Sequence, residues 1–230
     1  MTAATDSYLE LRYGALPRTE YPARLAAHLD ARALASSPNR RLLDLGCGNA
    51  DYVERFAALG WESEGVDRAV RPSARVHRVD LTRDPLPFPA AHFGVVFTKS
   101  FLEHVADPTP LLAEVHRVLA PGGLLVALVP DWDAQWRHFY DDWTHVRPYT
   151  LRGLRDCLAC HGFEIVRAET FLQLPFLWER PWLRPIAAAA RLAPSALDAW
   201  KLVRFSKERM LLCVGRRPAV EPPEPSKEIP

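Results

Sequence analysis

The sequence predicts an α/β fold, a seven-stranded and mostly parallel sheet with helices on both faces. From about residue 41, short apolar runs alternate with helical stretches, which is typical of a parallel sheet wrapped by helices. A buried run that leads through a glycine loop into a helix supports the same fold. The length of 230 residues fits one domain with a substantial core.

The strands are predicted by seven short runs that are rich in apolar and β-branched residues and bounded by turn residues. In chain order they are Arg41–Leu45, Trp61–Val66, Val76–Val79, Phe93–Phe97, Leu124–Pro130, Glu164–Thr170 and Arg209–Arg216.

Two helices between the strands have clear boundaries. Asp107-Pro108 predicts the start of the first, as N-cap and first-turn proline, and Pro121-Gly122-Gly123 predicts its end. The second begins at Thr150 and stops at Gly162, a favourable residue just beyond a helix end. Each carries an apolar stripe, so we expect one face of each helix to pack on the sheet.

These elements predict one domain over residues 41–217, with inserts at 131–150 and 171–205. Residues 1–40 form an N-terminal lid or helix, helical in composition from Tyr21 onward. The tail at 218–230 is rich in Pro, Glu and Lys and is predicted to be disordered.

The composition argues against several classes of partner without excluding them. Lys and Arg number 29 against 28 Asp and Glu, so no field of one sign would draw the protein to nucleic acid. No apolar stretch approaches the roughly 20 residues of a membrane span. The four cysteines are scattered and no secretory signal precedes them, which predicts a cytoplasmic location.

The strongest motif is the glycine loop in Leu42-Leu43-Asp44-Leu45-Gly46-Cys47-Gly48-Asn49-Ala50. Glycines at 46 and 48 let the backbone turn tightly and approach a ligand closely. Loops that bind dinucleotides usually continue to a third glycine, where the pyrophosphate meets the helix N-terminus. Asp51 occupies that position here, which favours a cofactor without phosphate.

Acidic residues end the first three predicted strands. Asp67 follows the glycine loop by about 20 residues, where a carboxylate can accept from both hydroxyls of a ribose. Asp80 ends the third strand, where it could accept from an adenine amino group. Together with Asp44 these acids predict a nucleoside site, the alternative being that each one only caps a helix or solvates a loop.

From Arg41 to Gly215 the chain resembles the class I S-adenosylmethionine-dependent methyltransferases, which have a Rossmann-like fold. The resemblance is carried by the motifs Asp44 to Gly48, Asp67, Asp80-Leu81, Phe93 to Phe97, Ser100-Phe101-Leu102-Glu103-His104-Val105 and Leu112 to Gly123.

The resemblance implies S-adenosylmethionine as the cofactor and assigns its contacts. The methionine part would be contacted by Gly46, Cys47 and Gly48, and its ammonium by Asp44. The ribose would be bound by Asp67, and the adenine by Arg68, Asp80 and Leu81. Between cofactor and acceptor would lie Lys99 and Ser100. Thr98-Lys99-Ser100 stands where methyltransferases of planar nitrogens have Asn/Asp-Pro-Pro-Tyr. This departure argues against methylation of bases or of glutamine.

The N-terminal run Arg12 to Pro22 resembles the start of bacterial methyltransferases from cell-surface glycan pathways. This resemblance implies a lid over the cofactor, with Tyr13 or Arg18 near the methionine carboxylate. The alternative is a solvated lead-in to the first helix.

The acceptor is expected at Trp132 to Tyr149, a loop too long and aromatic for a plain connection. Its core, Tyr140 to Tyr149, is similar to a segment of the same glycan-pathway enzymes. Within it, His145 is the predicted general base, oriented by Asp141 or Asp142, because transfer to a hydroxyl requires loss of a proton. The alternative is that His145 only pins the loop. Four further side chains are expected to bind the acceptor, Tyr140, Trp143, Arg147 and Tyr149.

The insert at 171–205 interleaves aromatic and apolar residues with arginines. It predicts a substrate cover, a homodimer face, or an interfacial helix in peripheral contact with a membrane.

No metal is expected. Cys157-x-x-Cys160-His161 lacks a second pair of ligands, and no group of carboxylates typical of a magnesium-dependent enzyme is present in the sequence.

The expected function is therefore O-methylation of a hydroxyl on a sugar, a glycan precursor or another small polar metabolite. An N-methyltransferase or a natural-product methyltransferase with the same core is the alternative enzyme. A cofactor-binding scaffold without activity is the non-enzymatic alternative. The protein is expected to be a monomer or a homodimer.

Overall fold

The computed structural model describes residues 19–69 and 73–219 and contains the predicted seven-stranded sheet. Its strands are β1 (Arg41–Leu45), β2 (Glu62–Asp67), β3 (Val76–Arg78), β4 (Phe93–Lys99), β5 (Leu119–Pro130), β6 (Glu164–Phe171) and β7 (Met210–Arg216). Their order is β3-β2-β1-β4-β5-β7-β6. All neighbours pair in parallel except β7, which runs antiparallel to β5 and β6. Tyr13, Arg18 and residues 220–230 lie outside the described residues.

Eight helices are described besides short 3-10 turns. They are α1 (Tyr21–Arg32), α2 (Asp51–Ala58), α3 (Thr109–Val118), α4 (Trp132–Gln135), α5 (Leu151–Cys160), α6 (Pro175–Glu179), α7 (Arg184–Ala190) and α8 (Lys201–Lys207). The predicted ends of α5 are confirmed, since the Thr150 hydroxyl accepts from the Gly153 N–H at 3.1 Å and Gly162 has φ +85°. None of the described helices has the length and hydropathy to cross a bilayer.

Helices cover both faces of the sheet, as predicted. On one face the stripes of α3 and α5 pack through residues such as Leu112, Val115 and Leu154. On the other face α1 and α2 pack through Leu29 and Phe56. β4 and β7 are buried along almost their whole length, because each lies between two strands and two helical layers.

The boundary between α3 and β5 differs from the prediction. The helix ends at Val118 and the strand begins at Leu119, so Pro121-Gly122-Gly123 lies within the strand. The cause is an irregular ladder, in which Leu119 pairs with Phe93 before the register shifts and Leu124 pairs with Val95. The N-cap of α3 is also Pro108 and not Asp107, although the Asp107 carboxylate accepts from the Thr109 N–H at 3.0 Å.

The strand order places the candidate site. The chain runs from β1 outward through β2 to β3, and then returns to β4 on the other side of β1. Such a reversal opens a crevice at the carboxyl ends of the central strands, where open α/β sheets bind ligands. The glycine loop after β1 and the loop after β4 meet at this crevice.

Candidate active site

The two glycines of the loop after β1 serve different needs. Both have positive φ, +70° at Gly46 and +50° at Gly48. A Cβ on Gly46 would lie 2.5 Å from the ring of Phe101, so this glycine lets the loop after β4 pack on the glycine loop. A Cβ on Gly48 would have no described atom within 4 Å, so Gly48 faces open space where a ligand can approach its backbone.

Cys47 points away from that space. Its Sγ lies 2.8 Å from the position of a Cβ on Gly65, so the thiol packs against β2, and burial raises its pKa. The Cys47 N–H donates to the Val66 carbonyl at 3.2 Å. The Cys47 carbonyl accepts from the Ala50 N–H at 2.8 Å, so both ends of this residue are held by the fold and its contact with the cofactor stays a prediction.

Asp44 is a buried carboxylate near the end of β1. Among the described residues, nothing forms a hydrogen bond to its Oδ2. Burial raises its pKa well above the ordinary value and nearby Asp67 adds to the rise, while Lys99 opposes it. A cationic ligand beside Asp44 would favour its charged form, which is the environment predicted for an amino acid ammonium.

Asp67 ends β2 and joins it to the glycine loop. Its Oδ2 accepts from the Gly48 N–H at 3.1 Å, and its Oδ1 accepts from the Ala69 N–H at 2.9 Å. Each carboxylate oxygen keeps a further acceptor site, which suits the predicted contact with two ribose hydroxyls. The side chain of Arg68 is exposed next to it.

Asp80 follows β3 on the same edge of the sheet. Its Oδ1 accepts from both the hydroxyl and the N–H of Thr82, at 2.6 Å and 3.1 Å, and the hydroxyl contact lowers its pKa. Leu81 is buried. Asp80 therefore stabilises its own turn, and the contact of Asp80 and Leu81 with adenine stays a prediction.

Lys99 is the last residue of β4, and Ser100 follows it beside the glycine loop. Burial lowers the pKa of Lys99, while the carboxylates of Glu103 and Asp44 oppose the decrease. The Lys99 Nζ donates to the Ser100 Oγ at 3.4 Å. Ser100 has φ +55°, a left-handed conformation that non-glycine residues rarely adopt and that often occurs at functional sites.

His145 lies in the loop from Trp132 to Tyr149, which we call the acceptor loop after its predicted role, and its side chain is 13% exposed. Its Nδ1 is 2.6 Å from the carbonyl of Phe139, which can only accept, so Nδ1 carries the proton and Nε2 a lone pair. Nε2 lies 3.9 Å from the Asp142 carboxylate and 4.0 Å from the Glu103 carboxylate. A proton taken up at Nε2 would therefore be stabilised by the charge of Asp142, while Glu103, whose pKa is raised by burial, adds charge only when it is ionised.

Only one of the two carboxylates that the sequence offered as partners is near His145. Asp142 is held by Thr144, whose hydroxyl and N–H donate to it at 2.6 Å and 3.1 Å. Asp141 instead pairs with His138 at 3.0 Å on an exposed surface. Of the two candidates it is therefore Asp142 that lies beside His145, because Asp141 is the last residue of a 3-10 turn and its carboxylate meets His138.

Glu103 is the residue that sequence reasoning missed. Its side chain is fully buried, and neither carboxylate oxygen has a hydrogen-bond partner among the described residues. Burial raises its pKa to about 8. Its backbone carbonyl accepts from the N–H groups of Val146 and Arg147 at 2.9 Å and 3.0 Å, which docks the acceptor loop. The motif around Glu103 was the available signal, but a motif does not reveal that an acid is buried.

His104 also contacts the acceptor loop and helps to hold it in place. Its Nδ1 lies 2.9 Å from the Thr144 hydroxyl, and its ring packs edge-on at 4.7 Å from that of His145. Glu103, His104 and His145 each offer one possible metal-ligand atom, and these atoms lie within 4.8 Å of one another. The expectation of no metal stays a prediction at this cluster.

The four residues expected to bind the acceptor fall into two groups. The rings of Tyr140 and Trp143 are exposed, Trp143 by 72%, and are free to meet a ligand. Arg147 donates through Nε to the Ala106 carbonyl at 3.0 Å and so holds the loop in place. Tyr149 is buried in the core, and burial raises its pKa. Arg147 and Tyr149 thus both help to hold the loop or the core, and their contact with an acceptor stays a prediction.

The sheet order, the glycine loop and the aligned strand-end acids define the Rossmann-like fold of class I methyltransferases, enzymes that use S-adenosylmethionine as methyl donor. Residues 18–168 match the family model described as a methyltransferase domain. The chain therefore belongs to the methyltransferase-domain family.

Relatives and solved structures agree with this membership. The chain is 36% identical over 116 residues to the ubiquinone biosynthesis O-methyltransferase of Cereibacter sphaeroides, covering 45% of this chain and 47% of that protein. It is 32% identical over 168 residues to the protein of that name from Ruegeria pomeroyi, covering 60% and 66%. The match thus spans about half the length of the first relative. A solved S-adenosylmethionine-dependent methyltransferase from Archaeoglobus fulgidus shares the fold, with a TM-score of 0.61, 18% identity and coverage of 91% and 98%.

Proposed function

We propose that the protein transfers the methyl group of S-adenosylmethionine to a hydroxyl of a sugar or another small polar metabolite, with His145 as general base. The observation that carries this proposal is the position of the His145 Nε2 between the carboxylates of Asp142 and Glu103. The loop that holds Glu103 packs through Phe101 on the glycine loop. Donor side and acceptor side are therefore adjacent in the fold.

The cofactor supplies an electrophilic methyl group on a sulfonium, and the protein supplies charge and position. The Asp44 carboxylate would bind the ammonium, the Asp67 carboxylate would bind the ribose, and the backbone at Gly48 would lie against the methionine part. These roles agree with the buried, unpartnered Oδ2 of Asp44 and with the open space at Gly48.

In the chemical step, His145 removes the proton of the acceptor hydroxyl at Nε2. When bound, S-adenosylmethionine would supply its methyl group to the acceptor oxygen, the electron pair of the broken carbon–sulfur bond would stay on sulfur, and S-adenosylhomocysteine would be released. The proton of the hydroxyl would remain on the imidazole of His145. The Asp142 carboxylate, 3.9 Å from Nε2, would stabilise this imidazolium until water removes the proton.

Two comparisons support the choice of oxygen as acceptor atom. The curated relatives described above carry the name O-methyltransferase. The segment from Tyr140 to Tyr149 resembles that of glycan-pathway enzymes, which favours a sugar hydroxyl. The exposed rings of Tyr140 and Trp143 suit this acceptor class, since aromatic faces pack on the apolar faces of small ligands.

His145→Gln should lower turnover by roughly 100-fold or more, because a general base contributes about that much or more. Binding of S-adenosylhomocysteine should not change. Turnover is measured as S-adenosylhomocysteine release with a panel of sugars, polyols and phenols. The matched control is His138→Gln, which alters an exposed histidine of the same loop and should leave the rate unchanged. Undiminished turnover in His145→Gln would overturn the role of His145.

The pH profile distinguishes acceptor classes. A histidine base must be unprotonated to act, so kcat should fall as the pH is lowered, and this fall should disappear in His145→Gln. An amine acceptor would instead give a limb set by its own pKa in both proteins, and would contradict O-methylation. A chelator should leave the rate unchanged. A loss of activity that a divalent ion restores would make His145 a ligand at the Glu103 cluster and not a base.

A further inference from the structure

A cavity of about 280 Å³ lies between α1, the end of β6 and the insert at 171–205. None of the residues predicted for cofactor or acceptor lines it. Its wall carries six basic side chains, those of His28, Arg32, Arg167, Arg184, Arg191 and Arg209. We call it the arginine cavity.

Three of the five arginines have no acidic partner, although Glu169 also lines the cavity and burial lowers the pKa of His28. Arg167 pairs with Glu169 at 2.6 Å, and Arg209 pairs with Asp131 at 2.8 Å. Arg32, Arg184 and Arg191 form no ion pair with any residue in 19–69 or 73–219. Like charges that converge on one cavity repel one another, and a bound anion would remove that repulsion.

Buried polar atoms in the same wall also have no partner. The Ser206 hydroxyl is buried, lines the cavity, and forms no hydrogen bond to the described part of the chain. Arg209 also lines the cavity, and its buried Nε forms no hydrogen bond to the described part of the chain. Polar groups buried without a partner are costly and uncommon, and a ligand oxygen in the cavity would satisfy both.

One wall of the cavity is apolar. Phe171, Leu177 and Trp178 line it, and the ring of His28 lies 4.7 Å from that of Trp178. The exposed side chains of Trp182 and Leu192 adjoin lining residues in the sequence. The volume lies just below the roughly 300 Å³ at which pockets begin to hold drug-sized ligands, so it suits a head group.

We propose that the arginine cavity binds a phosphate or diphosphate group presented on a molecule with an apolar portion. The guanidinium fork matches phosphate oxygens in pairs, the Ser206 hydroxyl supplies a further donor, and the aromatic wall meets the apolar portion. This gives the insert at 171–205 a ligand-binding role. The inference does not depend on the proposed function, because it concerns binding at residues that the methyl transfer does not use.

The test is a titration of the whole protein by calorimetry at low salt. The probes are inorganic pyrophosphate, dihexanoyl phosphatidic acid and, as a neutral control, dihexanoyl glycerol. The double variant Arg184→Gln/Arg191→Gln should bind pyrophosphate and phosphatidic acid about tenfold or more weakly than the wild type, because charge-assisted hydrogen bonds are lost. The matched control is Arg152→Gln, an exposed arginine on α5, which should bind as the wild type does.

Ser206→Ala keeps the proposal testable if the arginine variants unfold. It removes a buried hydroxyl that has no partner in the described structure, so stability should not fall, while phosphate affinity should. Tighter binding of phosphatidic acid than of pyrophosphate supports a lipid-borne phosphate, and equal affinity supports a soluble one. Absence of binding by either phosphate, or equal binding by wild type and cavity variants, would overturn the proposal.

Discussion

At the scale of single residues, Glu103 and Asp44 show how the site holds charge. Both are buried acids with unpartnered oxygens in the described structure, and both have raised pKa values. Lys99 lies near enough to both to oppose each rise. Lys99 therefore couples the two acids electrostatically, so a change in the charge of one acid should alter the pKa of the other.

The raised pKa of Glu103 makes stability depend on pH. The pKa rises from the ordinary 4.5 to about 8, so the folded state prefers the protonated acid. Its contribution to stability is complete below pH 4.5 and is lost as pH rises through 8. Glu103→Gln, which stays neutral, should therefore match the wild type near pH 5 and exceed it at pH 9 by on the order of 1 kcal/mol or more.

Urea unfolding at both pH values measures this difference. Glu62→Gln changes an exposed acid on β2 and should show no comparable gain at high pH. Equal stability of Glu103→Gln and the wild type at pH 9 would mean that the Glu103 carboxylate is stabilised in its charged form.

At the scale of elements, the glycine loop and the loop after β4 act as one unit. The Phe101 ring occupies the space above Gly46, and the Asp67 carboxylate accepts from the Gly48 N–H. Each contact joins two loops that follow different strands. Substitutions at the two glycines should therefore have different consequences.

Gly46→Ala should destabilise the protein by roughly 3 kcal/mol or more, because a left-handed alanine would also overlap the Phe101 ring. Gly48→Ala should cost only about 1–2 kcal/mol for its conformation, yet it should weaken S-adenosylhomocysteine binding at least tenfold by filling the space of the ligand. Thermal unfolding and calorimetry separate the two effects. Normal affinity in Gly48→Ala would remove this loop from the cofactor site.

The elements themselves were largely predictable from the sequence. Alternation of apolar runs and helices gave all seven strands, and Thr150 and Gly162 gave the ends of α5, because these signals are local. The predicted start of β5 was wrong because the true start depends on pairing with Phe93, which is far away in the chain. The burial of Glu103 and the pairing of Asp141 with His138 were missed for a similar reason. Both result from the packing of the acceptor loop and not from residue type.

At the scale of the whole molecule, the insert at 171–205 leaves and rejoins the sheet at one point. Phe171 at the end of β6 is paired with Met210 at the start of β7. Its helices form a small cluster of their own around Leu174 and Leu177, while Trp178 reaches back to Tyr21 on α1. The insert therefore adds a surface and is not part of the central sheet.

Replacing residues 174–207 with a short glycine-containing turn should leave the fold intact. The melting temperature should fall by roughly 5 °C or more, because Tyr21 and Phe171 lose their contact with Trp178. Binding of S-adenosylhomocysteine should persist, and phosphate binding at the arginine cavity should disappear. Loss of cofactor binding in a folded variant would show that the insert belongs to the methyl-transfer site.

The docking of the acceptor loop bears on how such an enzyme changes during evolution. The loop is held by the backbone carbonyl of Glu103 and by the contact of His104 with Thr144. The ring of Tyr140 packs on Phe139 and Trp132, whereas the ring of Trp143 is 72% exposed. Under the proposed function, a substitution at Trp143 would change which molecules are recognised while His145 keeps its place, so a new specificity would be accessible by a single substitution.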